Sequence, residues 1–408
     1  MRRRGRGRRR AQGPAGTDPA DAGRAASPGG GAQVSAAVRV LHAVTLHSPS
    51  HAFGGPVRVA LNLAKGLRAR GHEARLLALG DGFDEWPTSV EGVPAKLFPA
   101  RRLLPLGFSG MTSPALLASA GRLVRDADVV HVHLARDLVT LPVALAALRA
   151  GKPLVLQTHG MVDPSEKLLA KVLDAVAVRR LLRGADAVLY LTPHEREGLD
   201  AVVGAPLANT VRLVNGTPAQ EERPAPQGVP RVLYSARLQA RKRPVDFVDA
   251  APAVLAEHPD AHFVVAGPDE GELGAVRDRI GALGLTDRFT VPGALSSAQV
   301  LEELRRAHVY VLPSVDEPFP MSVLEALAVG VPSVVTHSNG LARDIARAGA
   351  GRAVDPGPAG VAAAVLELLD PQAGREASLA ARKLADDSFS MDAVLDTLLP
   401  VYEAALRR

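Results

Sequence analysis

Residues 317–336 read EPFPMSVLEALAVGVPSVVT, and this stretch decides the fold. Glu317 and Glu325 are separated by seven residues. Because Pro318 to Pro320 cannot continue a helix comfortably, Glu317 is expected on a loop after a strand that ends near Pro313. A helix is then expected to open at Ser322. At the carboxyl edge of a parallel sheet, the N-terminus of such a helix favours an anion such as a diphosphate.

Two interpretations of Glu325 compete. As a ligand, Glu325 would accept hydrogen bonds from ribose hydroxyls, while Glu317 would reach a sugar hydroxyl. Alternatively, Ser322-x-x-Glu325 is a capping box, in which Glu325 only satisfies a backbone donor. The loop carboxylate, the Pro-Phe-Pro segment and the turn at Gly330-x-Pro332 together favour the ligand.

Short β-branched runs alternate with longer amphipathic segments on either side of this stretch. This alternation is the signature of right-handed βαβ units. One helix is well delimited, with Pro56 at its start and Gly71 after its end. The predicted strands form two series, the first at 38–45, 128–133, 153–159 and 187–192, and the second at 231–236, 262–267, 308–313 and 332–336.

The chain has 408 residues, which fits two α/β domains of about 180 residues each. Apolar residues make up 47% but aromatics only 3%, so the cores must consist of Ala, Val and Leu. That composition suits parallel sheets covered by helices. The fold class is therefore α/β, with two Rossmann-like domains.

The domain boundaries follow from composition. Residues 1–37 form a low-complexity Arg/Gly/Pro-rich tail that should be disordered. An N-terminal Rossmann-like domain is expected over 38–215, a proline-rich linker over 216–230 and a C-terminal Rossmann-like domain over 231–388. The closing residues 389–408 are predicted to form a helix that could pack back on the N-terminal domain.

The tail holds eight Arg and two Asp, a charge of +6, so of the net charge of +5 the rest of the chain carries −1. A nearly neutral body argues against a dedicated nucleic-acid-binding protein. The tail itself is either a tether to anionic lipid or nucleic acid, or a dispensable extension.

The chain has no cysteine, which excludes thiolate catalysis, Cys-ligated metals and disulfides. No apolar stretch approaches the length of a membrane span, and the tail does not resemble a secretory signal. We expect a cytoplasmic protein, with peripheral contact at the inner face of the membrane as an option. Such contact would use the tail or residues 100–108, where Arg101 and Arg102 flank apolar residues; the alternative for 100–108 is a solvated loop.

The segment YSARLQARKRP places Arg237 and Lys242 five residues apart, just after a strand. Two fixed cations near a helix N-terminus suit a leaving nucleoside diphosphate, because they neutralise the charge that grows as the sugar–phosphate bond breaks. Taken alone, the pair is more often surface charge. Its significance comes from the neighbouring motifs.

In the first half, Gly54 and Gly55 directly precede the helix that begins near Pro56, and they would allow close backbone approach to a phosphate or sugar. The alternative is a structural turn; the dinucleotide fingerprint GxGxxG is missing here. His159 ends the apolar strand PLVLQTHG at the sheet edge where ligands collect. Its neutral imidazole would hydrogen-bond the transferring sugar. The alternative is a histidine that caps a helix or only packs against its neighbours.

His131 and His133 lie in DVVHVHLARD on a predicted strand. We interpret them as facing opposite sides of that strand, which makes them a poor metal pair. Structural or acceptor-side roles are favoured for both.

These motifs, in this order, resemble the retaining glycosyltransferase family 4 of GT-B fold. The resemblance runs from about Val38 to the C-terminus. It rests on the Gly-Gly loop, the strand ending Thr-His-Gly, the Arg-x4-Lys pair and the Glu-x7-Glu segment.

The resemblance implies a nucleotide-sugar donor in the cleft between two facing domains, retention of anomeric configuration and no divalent metal or other cofactor. By position, Arg237 and Lys242 would hold the diphosphate, Glu325 the ribose and Glu317 the donor sugar. His159 would also contact the donor sugar. We assign His159 and Glu317 to the catalytic centre, without a protein nucleophile.

The same resemblance implies further donor contacts from loops and backbone. These come from Gly54, Gly55, Phe319, Pro320, Met321 and Ser322. The chain departs from the family where Ser338-Asn339-Gly340 replaces a frequent Gly-Gly and Asp344 is the acidic residue that follows. Donor selectivity therefore cannot be carried over.

The predicted function is transfer of a hexose-type unit from a UDP- or GDP-sugar to an acceptor in polysaccharide, glycolipid or secondary-metabolite assembly. One alternative is a nucleotide-sugar 2-epimerase of the same fold, which would need no acceptor. Another is a non-catalytic sugar-nucleotide-binding protein. The acceptor is left open, because the loops 81–87 and 101–113 carry no recognisable pattern.

Overall fold

A computed structural model describes residues 37–48, 54–105, 107–221, 223–224 and 226–408. Apart from Ala37, the predicted disordered tail lies outside these residues. Ala37–Arg408 forms one compact unit.

In the N-terminal half, eight strands of the described chain form one sheet with the order β10-β9-β8-β7-β1-β2-β4-β3. Neighbouring strands are parallel except β3 and β4. A small antiparallel pair, β5 with β6, stands apart. The strands are β1 (Arg39–His47), β2 (Glu73–Gly80), β3 (Ser89–Val90), β4 (Val93–Pro99), β5 (Arg101–Arg102), β6 (Met111–Thr112), β7 (Val129–His133), β8 (Leu154–Gln157), β9 (Ala187–Tyr190) and β10 (Thr210–Arg212).

Helices cover both faces of this sheet. The segment from Leu168 to Gly184 is continuous, because a π-helical turn at Asp174–Val178 joins its two α-helical parts. The helices are α1 (Gly54–Ala69), α2 (Pro114–Arg125), α3 (Thr140–Arg149), α4 (Leu168–Leu173), α5 (Arg179–Gly184) and α6 (Pro193–Val203).

The C-terminal half has a six-stranded parallel sheet in the order β13-β12-β11-β14-β15-β16. Its strands are β11 (Arg231–Ser235), β12 (His262–Ala266), β13 (Phe289–Gly293), β14 (Val309–Leu312), β15 (Ser333–Thr336) and β16 (Gly351–Val354). The helices that follow are α7 (Pro244–Glu257), α8 (Leu273–Ala282), α9 (Ser297–Arg306), α10 (Met321–Val329), α11 (Ala342–Ala348), α12 (Pro358–Leu369), α13 (Pro371–Leu384) and α14 (Met391–Leu406).

Each sheet has the doubly wound arrangement in which the strand order reverses next to the first strand. The reversal lies between β1 and β7 in one half and between β11 and β14 in the other. Ligands of such sheets bind outside the carboxyl ends of the strands at this point. The predicted α/β fold with two Rossmann-like units is confirmed, and its topology specifies where a site should lie.

The last helix, α14, packs on the N-terminal half. Leu395, Leu398 and Tyr402 are buried in the same core cluster as residues of β1 and α1. The Arg70 guanidinium at the end of α1 also pairs with Asp392 at 2.9 Å and Asp396 at 2.6 Å. The chain thus crosses between the halves a second time.

The described part of the predicted linker contains no helix or strand, but it is anchored. Arg223 is 8% exposed, and its guanidinium donates to the carbonyls of Ala307 and Gly330. Thr217 forms an isolated bridge with Ser390, beside the start of α14. The two crossings between the halves therefore lie side by side.

The predicted strands are observed with shifted ends. The strand expected at 153–159 stops at Gln157, because His159 takes a left-handed backbone with φ 52°. Among the described residues, no helix is both long and apolar enough to cross a membrane.

Candidate active site

The carboxyl ends of the two sheets line one cleft of about 570 Å³. Gly55 and His159 line it from the N-terminal half, and Arg237, Lys242 and Glu317 from the C-terminal half. Its size falls in the usual range for small-molecule sites. Most of the predicted site residues are thus brought together, including the backbone segment Phe319, Pro320, Met321 and Ser322.

The helix after Pro-Phe-Pro begins one residue earlier than predicted. Pro320 is its N-cap residue and Met321 its first residue, so Ser322 does not open it. No side chain caps this helix, and the Ser322 hydroxyl lies 2.8 Å from the Tyr310 hydroxyl instead. The capping-box alternative for Glu325 is therefore wrong.

Glu325 lines a recess that adjoins the main cleft and shares Gly55 and Met321 with it. The recess keeps some contact with solvent, yet protein surrounds the carboxylate. Burial raises the pKa of Glu325, and the positive charge of Arg58 opposes that rise. No hydrogen bond to the Glu325 carboxylate is found among the described residues, so a carboxylate in such a recess suits a ligand that brings hydroxyl donors.

The Glu317 loop is held by a close backbone contact with the segment that departs from the family. The Gly340 N–H donates to the Glu317 carbonyl at 2.8 Å. A Cβ atom at position 340 would lie 1.7 Å from the Pro318 carbonyl oxygen, so only glycine fits. The single glycine of Ser338-Asn339-Gly340 thus keeps the contact that shapes this loop.

Glu317 is buried in an ion pair with Lys242, and Arg241 lies 3.6 Å from the same carboxylate oxygen. Burial lowers the pKa of Lys242, and the Glu317 carboxylate counteracts this. Arg237 is more exposed and pairs with Glu270 at 3.1 Å. Three cations therefore gather at one side of the cleft, balanced by two carboxylates.

His159 occupies a turn that is strained and clamped. A φ of 52° is uncommon for a residue with a side chain. The Glu195 carboxylate accepts hydrogen bonds from Thr158 Oγ1 and from the Gly160 N–H, each at 2.6 Å, and from the Leu191 N–H at 2.6 Å. The clamp fixes His159 from both neighbouring residues and directs it to the cleft.

His131 and His133 do not face opposite sides of their strand, so that prediction is wrong. Residues two apart in a strand share a face, and the two rings stack with their planes 3° apart and centroids at 4.7 Å. Both are buried beside His42 of β1. His131 Nδ1 lies 2.7 Å from the Tyr402 hydroxyl of α14.

Some predicted residues contribute differently from expectation. The helix begins at Gly54, two residues before Pro56, and Gly55 belongs to the cleft lining. The Phe319 ring packs edge-on against Phe389, with centroids 5.9 Å apart. Phe319 therefore offers mainly its backbone to the cleft.

Sequence reasoning missed Arg58, Arg241 and Asn215. Arg58 lies one helical turn after the Gly-Gly pair, borders the Glu325 recess and bonds Ser297 of the opposite half at 2.5 Å. In the sequence, the four-residue spacing between Gly54 and Arg58 already places the two on one face of the helix. Arg241 was visible as the neighbour of Lys242. No sequence pattern points to Asn215, which lines the cleft from a segment without regular structure.

Two family descriptions match the chain and together span most of it. Residues 54–216 match the glycosyl transferase 4-like domain, and residues 217–383 match the glycosyl transferases group 1. A glycogen synthase of Mycobacterium tuberculosis is 30% identical over 296 residues, which is 69% of this chain and 69% of that enzyme. A phosphatidyl-myo-inositol mannosyltransferase of Mycobacterium leprae is 27% identical, covering 86% of this chain and 93% of the enzyme.

Solved structures agree on the fold. The Anabaena protein Alr3699/HepE, crystallised with UDP and glucose, superposes with a TM-score of 0.71 at 19% identity. The match covers 90% of this chain and all of that one. The overall fold is therefore the GT-B fold.

The chain belongs to the family of group 1 and 4-like glycosyltransferases. It is a sugar-transferring enzyme of the hexosyltransferase class. The resemblance to glycosyltransferase family 4 with the GT-B fold is confirmed.

The buried histidines predict a pH dependence of stability. Burial lowers the pKa of His42 and of His159 to about 3 from 6.5, and it lowers those of His131 and His133 well below 6.5. Below pH 6.5 the unfolded chain therefore binds more protons than the folded one. The free energy of unfolding should fall by up to about 1.4 kcal/mol per pH unit for each such histidine.

Urea unfolding between about pH 7.5 and about pH 5 measures this slope. A His42→Asn variant should show a shallower slope than the wild type, whereas replacing the exposed His194 by Gln should leave it unchanged. Equal slopes in the wild type and His42→Asn would contradict the assignment of neutral buried imidazoles.

Proposed function

We propose that the enzyme transfers a hexose-type unit from a UDP- or GDP-sugar with retention of anomeric configuration. The observation that carries this proposal is the convergence of both halves on the cleft. The N-terminal ends of α1 and α10 reach it from opposite halves, and helix N-termini favour phosphate. Arg237, Arg241 and Lys242 add positive charge at the same place.

The roles follow from position. The diphosphate binds between Arg237, Lys242 and the backbone at Gly55, and the ribose hydroxyls donate to Glu325. The donor sugar then extends towards His159 and Glu317. Cations placed where the diphosphate leaves stabilise the charge that develops in the transition state.

Glu317 serves this reaction as a binding and orienting group. Its carboxylate already holds Lys242 and lies near Arg241. A carboxylate engaged by two cations is a weak nucleophile, since its lone pairs are occupied. We therefore retain an assignment without a protein nucleophile. We likewise propose a reaction without a metal, in which the three cations neutralise the diphosphate.

The acceptor belongs to polysaccharide, glycolipid or secondary-metabolite assembly. The relatives named glycogen synthase and phosphatidyl-myo-inositol mannosyltransferase support hexosyl transfer, but their names point to different acceptors. The N-terminal wall of the cleft, with Thr45, Val59 and Met161, is where an acceptor would lie.

The donor site is tested by titrating a panel of UDP- and GDP-sugars into purified protein. Arg237→Ala and Glu325→Ala should each weaken donor binding by about 10- to 100-fold, because each removes a charged hydrogen bond worth about 1.5–3 kcal/mol. Arg288→Ala and Glu302→Ala are matched controls, since they remove like charges from the same half outside the cleft lining. Unchanged donor affinity in the first pair would refute the site.

The reaction is followed by NMR of product and recovered donor. Retention predicts a product with the anomeric configuration of the donor. If the donor is isomerised when no acceptor is present, the protein is an epimerase instead. If the donor is recovered intact with every acceptor tried, the protein only binds sugar nucleotides.

We further propose that the protein is cytoplasmic and contacts an anionic membrane surface through the helix from Leu168 to Gly184. Leu168, Val172 and Val176 follow one another at four-residue spacing, and their exposed fractions are 78%, 48% and 66%. Such a stripe of large apolar side chains facing solvent marks an interaction surface. Exposed basic residues surround it, namely Lys167, Lys171, Arg179, Arg180 and Arg183, and this charge favours anionic lipid.

The residues 100–108 that the sequence suggested for this role also expose Leu103 and Leu104 beside Arg101 and Arg102. Among the side chains that the structure describes, two large apolar ones are exposed in this segment and four on the helix, so we place the main contact on the helix. This lipid contact is independent of the donor site.

Flotation with lipid vesicles tests the membrane contact. The protein should float with vesicles that contain phosphatidylglycerol and less with pure phosphatidylcholine. Replacing Leu168 and Val176 by Ser should abolish flotation. Leu379→Ser, which alters a leucine that is 70% exposed on α13, should not. Flotation of the double variant at the wild-type level would contradict this surface.

A further inference from the structure

Three buried histidines lie behind the cleft on the face of the N-terminal sheet covered by α1 and α14. His42 of β1 pairs in register with His131 of β7, and His133 follows two residues later. Each of the three side chains is at most 1% exposed. The roles proposed above for the donor site do not use them.

Two of these rings connect His159 to the interior. His133 Nδ1 lies 2.7 Å from His159 Nε2, and His133 Nε2 lies 3.2 Å from His42 Nδ1. Burial lowers the pKa values of His42, His133 and His159 far below neutrality, so each of these rings is neutral and carries one N–H. Each link therefore needs one N–H and one lone pair. The tautomer of one ring fixes the tautomers of the others.

The chain of rings has two ways to orient its protons, and its inner end decides between them. His42 Nε2 is buried without a hydrogen-bond partner among the described residues. In one orientation this atom is a bare lone pair. In the other it is an N–H, and an unpaired buried N–H is the rarer and costlier of the two. The first orientation is therefore favoured.

In that orientation, His42 Nδ1–H donates to His133 Nε2, and His133 Nδ1–H donates to His159 Nε2. His159 must then carry its own proton on Nδ1, the ring nitrogen that remains for the cleft. We propose that His42 and His133 are positioning residues that hold His159 as an N–H donor towards an oxygen of the donor sugar. This inference rests on the proposed role of His159 in binding that sugar.

A metal site is the competing explanation, because ring nitrogens of His42, His131 and His133 lie within 4.8 Å of one another. Ring geometry argues against it. The planes of His131 and His133 are stacked and nearly parallel, so their in-plane lone pairs run side by side and do not converge on one ion. Both nitrogens of His133 are also engaged by other histidines.

The tautomer is measured directly by NMR on the full chain labelled with ¹⁵N-histidine, without any substrate. Protonated and unprotonated ring nitrogens have well-separated shifts, and loss of one set of signals in His159→Asn assigns them. The wild type should show His159 protonated on Nδ1. His133→Leu should yield a mixture of tautomers, because nothing then donates to Nε2.

Kinetics and controls complete the test. In His133→Leu, kcat/KM should fall by about tenfold, the effect of one misdirected neutral hydrogen bond. His133→Asn places an amide N–H near the Nδ1 position and should restore most of the activity and the wild-type tautomer. His131→Leu is the matched control, since it alters an equally buried ring outside the chain and should leave the His159 tautomer unchanged.

Each outcome separates the two claims. A wild-type His159 protonated on Nε2 overturns the tautomer assignment, even if the His133 variants fail to fold. An Nδ1-protonated His159 whose replacement by Leu, which has no N–H to donate, leaves kcat/KM unchanged overturns the proposed role in sugar binding, and with it the reason for positioning the ring.

Discussion

Every strand of a parallel sheet ends at the same edge, and this constraint organises the molecule. In each half the strand order reverses beside the first strand, so the loops that follow β1 and β11 open next to those that follow β7 and β14. The cleft collects residues that follow β1, β11 and β14, and in the N-terminal half also residues that follow β8, the neighbour of β7. Gly55 and Glu317 are distant in sequence, yet they line one cavity because the sheets end there.

Charge in this cleft is arranged before any ligand arrives. The buried pair of Lys242 and Glu317 keeps two ions out of bulk water, which is tolerable only because they satisfy each other and Arg241 lies close. Gly340 holds the loop that carries Glu317, and Glu195 holds the turn that carries His159. Fixed groups need little reorganisation during reaction, which is the main electrostatic advantage of an enzyme site.

Much of this was predictable from the sequence. Strand and helix periodicity gave the two α/β halves, and the Glu-x7-Glu and Arg-x4-Lys motifs gave the C-terminal wall, because local spacing determines which loops they occupy. The histidine chain was not predictable, since it depends on the tertiary packing that brings His133 within reach of both His42 and His159. The prediction that His131 and His133 face opposite sides was wrong because residues two apart in a strand share a face. The strained turn at His159 and the anchoring of Arg223 arise only from tertiary packing.

The central claim is that both halves hold one nucleotide-sugar. A crystal structure of the protein with a bound UDP- or GDP-sugar tests it most directly. The account predicts the diphosphate within hydrogen-bond distance of Arg237 and Lys242, the ribose at Glu325 and the sugar against His159. A nucleotide bound outside the cleft, or one that leaves Lys242 and Glu325 without contact, would contradict it.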